Sequence, residues 1–260
     1  MTSDSYTTSA KYYDGAYSAK SDLVDLPFYV DLAKKIGGPV LEMGCGTGRV
    51  LLPIARAGIE IHGLDSSTAM LKILRNQVQH ESVDVQNRIA VHEGDMRQFR
   101  GKQKYKLITI PFRPMQHMYT VEDQASALKT AAFHLQNDGI LAFDVFSPNF
   151  QLIESGIGEE KLELEWPSQP GRTIRRYFRK ESVDKVNQTF SATFIYRTYE
   201  REICVSEETE PLKMSYYTYP QLKALFRLAG LQTIEEYGSF KKTPLNNEAK
   251  EMIFLLKKTT

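Results

Sequence analysis

The sequence predicts an α/β protein built on a mostly parallel sheet with helices on both faces, with a small antiparallel sheet inserted late in the chain. Three observations carry this prediction. Apolar residues run into an acid and a glycine-rich turn at Val40-Leu41-Glu42-Met43-Gly44-Cys45-Gly46-Thr47-Gly48-Arg49-Val50. Strand-like and helix-like stretches then alternate as far as Asn149, the pattern of a parallel sheet covered on both sides. From about residue 160 to 218 the chain turns to aromatic and β-branched residues with alternating charges.

Taken in order, residues 1–10 are rich in Ser and Thr and read as disordered in isolation. A helical N-terminal segment follows from Lys11-Tyr12-Tyr13 through Tyr17 to Lys35. The first strand enters the glycine turn, where glycine permits positive φ and close approach of a ligand. A dinucleotide fingerprint would require a further glycine where Arg49 stands. The strand at 58–65 ends on Asp65, about 20 residues beyond the turn, where an acid is placed to bond ribose hydroxyls. The alternative for Asp65 is a solvated strand end or a helix cap. Ser66 or Ser67 caps the next helix, in which Met70 is by default a core residue. A strand in the stretch 90–97 ends at Asp95-Met96. Another begins at Tyr105 and continues into Ile110-Pro111-Phe112-Arg113-Pro114-Met115-Gln116-His117. The helix at 124–135 is expected to close on the Asn137-Asp138-Gly139 turn. After the insertion come a helix at 220–228 ending at Gly230 and two strands, 231–236 and 251–256, the last antiparallel.

Within the insertion, 172–180, 189–197 and 212–219 read as strands. Alternation puts Phe190, Ala192, Phe194 and Tyr196 on one face. The expected role is a lid over the cleft; a stabilising or dimer-forming patch is the alternative. Arg172, Arg175, Arg176, Arg179 and Lys180 invite a nucleic-acid reading. Pairing with the acidic run at 159–165, which would protect an edge strand, is preferred. The expected division is a helical segment and cofactor-binding core at 1–155, the lid at 156–218, and a closing helix with two strands at 219–260.

The chain has 260 residues, enough for one domain with an insertion. Its 33 Lys and Arg against 32 Asp and Glu give a net charge of +1, which argues against nucleic acid as the main partner. Two cysteines, Cys45 and Cys204, cannot build a disulfide framework and suit a reducing compartment. No stretch reaches ~20 apolar residues, so no membrane span is expected, and a cytoplasmic location is the default. No His, Cys, Asp or Glu cluster has metal-ligand spacing.

Four stretches, taken in order, resemble the motifs of class I S-adenosylmethionine-dependent methyltransferases: Glu42 with the Gly44, Gly46, Gly48 turn, Asp65, Asp95-Met96, and the strand and loop from Tyr105 to His117. Lys106 departs from the pattern, which usually has an aspartate there. The resemblance implies a Rossmann-like, seven-stranded, mostly parallel sheet and S-adenosylmethionine as cofactor, with S-adenosylhomocysteine as product. It implies cofactor contacts from Tyr13, Glu42, Gly44, Cys45, Gly46, Gly48, Asp65, Ser66, Met70, Asp95, Met96, Ile110 and Pro111. The wider pattern, with Phe143-Asp144-Val145-Phe146-Ser147-Pro148-Asn149 and Tyr237-Gly238-Ser239-Phe240, resembles a bacterial subfamily with an inserted antiparallel sheet. Its members methylate amino groups of sugars and other small molecules. There the residues matching His117 and Tyr13 border the acceptor amine and the methyl group.

His117 is therefore the candidate base, or else a backbone-bonded residue that shapes the pocket. Tyr13 is the candidate orienting group. Tyr17, Arg113 and Gln116 are candidate substrate-binding residues. The expected function is methyl transfer to a nitrogen or oxygen of a small molecule by a monomer or homodimer. The alternatives are an RNA-directed enzyme acting on a single-stranded base, a non-catalytic cofactor-binding protein, and an NAD-dependent oxidoreductase, against which Arg49 argues.

Overall fold

A computed structural model describes residues 6–20 and 24–259. Among these, the chain begins with α1 (Thr7–Ser18), α2 (Asp25–Ile36), β1 (Val40–Met43), α3 (Leu51–Arg56), β2 (Ile61–Asp65) and α4 (Thr68–Gln79). It continues with α5 (Val83–Gln86), β3 (Ile89–Glu93), β4 (Tyr105–Ile110), a 3₁₀ turn (Pro114–His117), α6 (Val121–His134) and β5 (Leu135–Phe146). Then come α7 (Phe150–Glu154), β6 (Glu160–Gln169), β7 (Arg172–Asp184), β8 (Thr189–Glu200) and β9 (Ile203–Ser215). The chain closes with α8 (Tyr219–Leu228), β10 (Leu231–Tyr237) and β11 (Glu251–Lys258).

Two compact units result: α1 with Asn149–Ser215, and Val24–Pro148 with α8, β10 and β11. The larger unit holds a seven-stranded sheet in the order β10-β11-β5-β4-β1-β2-β3. β1 to β5 pair in parallel, and β11 runs antiparallel to both β5 and β10. The fold is Rossmann-like. Side chains alternate across the sheet. Leu41, Met43, Ile108, Phe143 and Phe254 meet α6 and α8 on one face, through Leu128, Leu222 and Phe226. Val40, Leu107, Ala142 and Ile253 share the other face with residues of α2, α3, α4 and α5. Glu42, Thr109 and Asp144 follow the second set by the same alternation, so three polar side chains enter an otherwise apolar layer.

Some boundaries differ from the sequence expectation. Residues 7–10 are helical, because the Thr8 and Ser9 amides donate to Glu210 Oε1 of β9 at 3.0 and 3.1 Å. Residues 1–5 lie outside the described part. Asn137-Asp138-Gly139 does not end a helix. It belongs to an irregular start of β5, whose pairing jumps from Tyr105–Leu135 to Leu107–Ile140.

The smaller unit holds a four-stranded antiparallel sheet in the order β6-β7-β8-β9. Its last strand, β9, begins at Ile203, well before the predicted 212–219 strand, and ends at Ser215, short of Tyr219, which starts α8; the acidic run becomes the edge strand β6. The basic residues of β7 are answered by acids. Arg175 pairs with Glu165 at 2.5 Å, Arg176 with Glu163 at 3.2 Å and Arg179 with Glu160 at 3.2 Å. Lys180 donates to the carbonyls of Ile153 and Ser155 at 2.7 and 2.8 Å. α1 packs on this sheet through Ala16 and Tyr12 against Trp166, Ile174 and Tyr196.

Candidate functional site

An open α/β sheet receives its ligand at the carboxyl ends of its strands. Beyond β1 the chain turns through Gly44 (φ 80°), Gly46 (φ 54°) and Gly48 (φ 91°), all left-handed. A Cβ on Gly44 would stand 2.6 Å from Cγ of Pro114, and one on Gly48 would stand 2.5 Å from Cδ1 of Leu74. A Cβ on Gly46 would meet no described atom within 4 Å. Gly46 therefore presents bare backbone to open space, the surface a ligand can approach closely. The Gly44 and Cys45 amides donate to the Leu64 carbonyl at 2.7 and 3.1 Å, tying the turn to β2. The Cys45 thiol is buried, and burial pushes its pKa well up, so it packs as a small apolar group.

Asp65, at the end of β2, completes the turn. Its Oδ2 accepts the Gly46 amide and its Oδ1 the Ser67 amide, each at 2.8 Å. Ser67 caps α4, its Oγ accepting the Met70 amide at 3.2 Å. Ser66 is exposed and Met70 is buried.

Glu42 is 2% exposed, and its Oε2 has no hydrogen-bond partner among the described residues. Thr109, beside it in register on β4, has an equally unpartnered Oγ1. Burial pushes the Glu42 carboxyl well above the usual range; Asp65 and Asp25 add to this and Arg49 opposes it. Leaving a buried acceptor unpaired costs about 1–3 kcal/mol, so the site is built to receive a donor. Open backbone at Gly46 and an acceptor on Glu42 fit S-adenosylmethionine, which has both a nucleoside and an ammonium group to bind.

β3 ends at Glu93, short of the expected Asp95-Met96, and Asp95, two residues beyond it, is held by Arg97: its Oδ1 accepts the backbone amide at 2.8 Å and its Oδ2 accepts Nε at 2.8 Å. These bonds keep the Asp95 carboxyl below its ordinary range. Met96 reaches the glycine turn, its Cε 3.5 Å from where a Gly44 Cβ would be.

Ile110 and Pro111 are buried at the end of β4. The next two residues, Phe112 (φ 64°) and Arg113 (φ 73°), are left-handed without being glycine. Such residues cost about 1–3 kcal/mol each and persist only where their surroundings hold them. The 3₁₀ turn then carries Pro114 onto Gly44 and ends at half-buried His117. The Tyr217 hydroxyl donates to the Met115 carbonyl. Gln116 is fully buried, and its Oε1 accepts the Phe146 amide at 3.2 Å. Arg113 is ion-paired with Glu251 at 2.5 Å.

Tyr13 and Tyr17 lie on α1, in the smaller unit, with ring centroids 4.2 Å apart. In the larger unit, sequence reasoning missed the pairing of half-buried Arg49 with buried Asp25, with one bond at 3.1 Å, and the Tyr29 hydroxyl donating to Asp144 at 2.7 Å. One signal was present: Asp144 interrupts the apolar run Ala142-Phe143-Val145-Phe146, where burial demands a partner. No cluster of His, Cys, Asp and Glu among the described residues is able to hold a metal ion.

This fold and site define an S-adenosylmethionine-dependent methyltransferase. Comparison with known proteins agrees: residues 40–139 match the family described as "Methyltransferase domain". The chain is 23% identical to the cypemycin N-terminal methyltransferase of Streptomyces sp, covering 96% of each chain. It is 28% identical to the dTDP-3-amino-3,6-dideoxy-alpha-D-glucopyranose N,N-dimethyltransferase of Streptomyces fradiae, over 54% of this chain and 55% of the relative, about half its length. In fold it is similar to the CcbJ methyltransferase of Streptomyces caelestis, with a TM-score of 0.81 at 21% identity over 99% of this chain and 97% of the other.

Proposed function

We propose that this enzyme N-methylates an aliphatic amine on a small molecule, with an amino sugar as the leading acceptor class. The observation that carries the reading is the 3₁₀ turn, which seats Pro114 on the cofactor turn and ends in a half-buried histidine. Two relatives support it: one is named for a peptide N-terminus and one for a sugar amine, and both acceptors are amines.

Glu42, the Gly44–Gly48 turn and Asp65 would hold the cofactor, with Cys45, Ser66, Met70, Asp95, Met96, Ile110 and Pro111 as further contacts. The bound cofactor supplies a methyl group already activated on a sulfonium. The protein therefore has to align the acceptor, exclude water and manage one proton. An aliphatic amine with pKa near 9 arrives protonated, and His117 takes that proton before attack. Arg113 and Gln116 act by shaping the loop, since Glu251 and the Phe146 amide engage them. The roles of Tyr13 and Tyr17 are read from resemblance; Tyr13→Phe tests the first. The acids paired with β7 favour a small molecule over RNA. No described helix is long and apolar enough to cross a membrane.

The test is mass-spectrometric detection of methyl transfer from S-adenosylmethionine to a panel of amino sugars, free peptide N-termini and sugar alcohols. Methylated amines are expected. Methylation of alcohols alone would overturn the nitrogen reading. His117→Ala is expected to lower turnover about 10²-fold or more and to remove the acidic limb of the pH profile. An unchanged rate and profile would make His117 structural.

A further inference from the structure

The chain just beyond β4 is strained at two successive residues and is gripped from two sides. Asp144 Oδ1 accepts the Phe112 amide at 2.8 Å and the Tyr29 hydroxyl at 2.7 Å. Glu251 holds the Arg113 guanidinium, which also lies 5.6 Å from the Phe146 ring. The Arg49 guanidinium sits 4.7 Å from the centre of the Phe112 ring. Asp144 stands opposite Ile253, and Phe146 opposite Glu251, so the two acids occupy one end of the β5–β11 pair. These bonds hold Phe112 and Arg113 in a conformation that their β carbons disfavour. The segment they redirect is the turn Pro114–His117.

We infer that Asp144 and Glu251 are positioning residues of the methyltransferase. Together they lock Phe112 and Arg113 in the left-handed region, and so fix the turn bearing His117 against the glycine turn. This rests on the reading that the turn borders the transferred methyl. Asp144 is suited to the task because two donors converge on a single oxygen inside an apolar layer. An amide carbonyl can accept the same two bonds, and a methyl group cannot.

The inference is tested by hydrogen exchange on the full-length protein alone, so it does not depend on the acceptor or on the chemistry of His117. In Asp144→Ala, exchange in the segment 110–118 is expected to rise about tenfold or more, while 40–50 keeps its protection. Asp144→Asn is expected to restore the wild-type rate. Phe112→Gly in the Asp144→Ala background is also expected to restore it, because glycine takes this conformation without support. If Asp144→Ala does not fold, Glu251→Gln is read in the same way, with Arg113→Gly as its suppressor. Wild-type exchange at 110–118 in both acid variants would overturn the inference. So would faster exchange spread through the sheet and unmoved by the glycine changes. Parallel titration with S-adenosylhomocysteine reports the cofactor site separately.

Discussion

Gly46 and Gly48 share one turn and one backbone conformation, yet alanine is expected to separate binding from folding between them. Gly46→Ala adds a methyl group to open space. It should cost about 1 kcal/mol in stability for the left-handed φ while weakening S-adenosylmethionine binding about tenfold or more. Gly48→Ala drives a methyl into Leu74 and should add about 1–3 kcal/mol of overpacking to the same backbone cost. Thermal unfolding beside calorimetric titration checks the pair; a Gly46→Ala variant that binds like wild type would move the ligand away from the turn. Such positions were legible in the sequence because the backbone accepts few residue types there. Arg113 and Gln116 were not legible in the same way. Their place on a site-bordering loop was plain, but the partner of Arg113, Glu251, lies 138 residues away. No local pattern marks such a pair.

At the scale of elements, α1 is built for its sheet more than for itself. Its first amides end on Glu210, and Gly15 sits in mid-helix, where glycine costs about 1 kcal/mol relative to alanine. The reason is Trp166: a Cβ on Gly15 would stand 2.6 Å from its Nε1. Gly15→Ala should therefore destabilise despite its better helix propensity, and should red-shift tryptophan emission as the contact opens. A stabilised variant with unchanged emission would show that the helix has room to adjust. Strand and helix order in the core was legible because period two and period 3.6 differ plainly over those stretches. The start of α1 at Thr7 was not, since a Ser/Thr-rich stretch gains its order from a carboxylate two hundred residues later. The edge strand β6 was partly legible, as an acidic run facing a basic one.

At the scale of the molecule, two sets of titrating groups act on stability in opposite directions. His62, His92 and His134 have lowered pKa values, chiefly through burial. They favour the folded state above the ordinary histidine value of 6.5, and that stability drains away as pH falls below it. Asp144 is pushed by burial from 3.8 to about 7, and burial also raises Glu251. Raised acids favour folding at low pH and lose that contribution as pH climbs, for Asp144 between 3.8 and about 7. Urea midpoints across pH 5 to 8 should thus fall less steeply toward acid in His62→Gln, and less steeply toward neutrality in Asp144→Asn. Parallel curves for wild type and both variants would refute this account. The succession of strands and helices along the core was legible from the alternation, whereas the order of the strands in the sheet and these titrations arise only from the assembled layers.

Trp166 is the single tryptophan of the chain, buried beneath α1. Tryptophan emission, excited selectively so that the tyrosines stay dark, is consequently a private channel: its source lies in the smaller unit, and the unfolding of the cofactor-binding sheet must be followed by other light. A melt recorded at two wavelengths would show whether the halves of this enzyme come apart together or in turn.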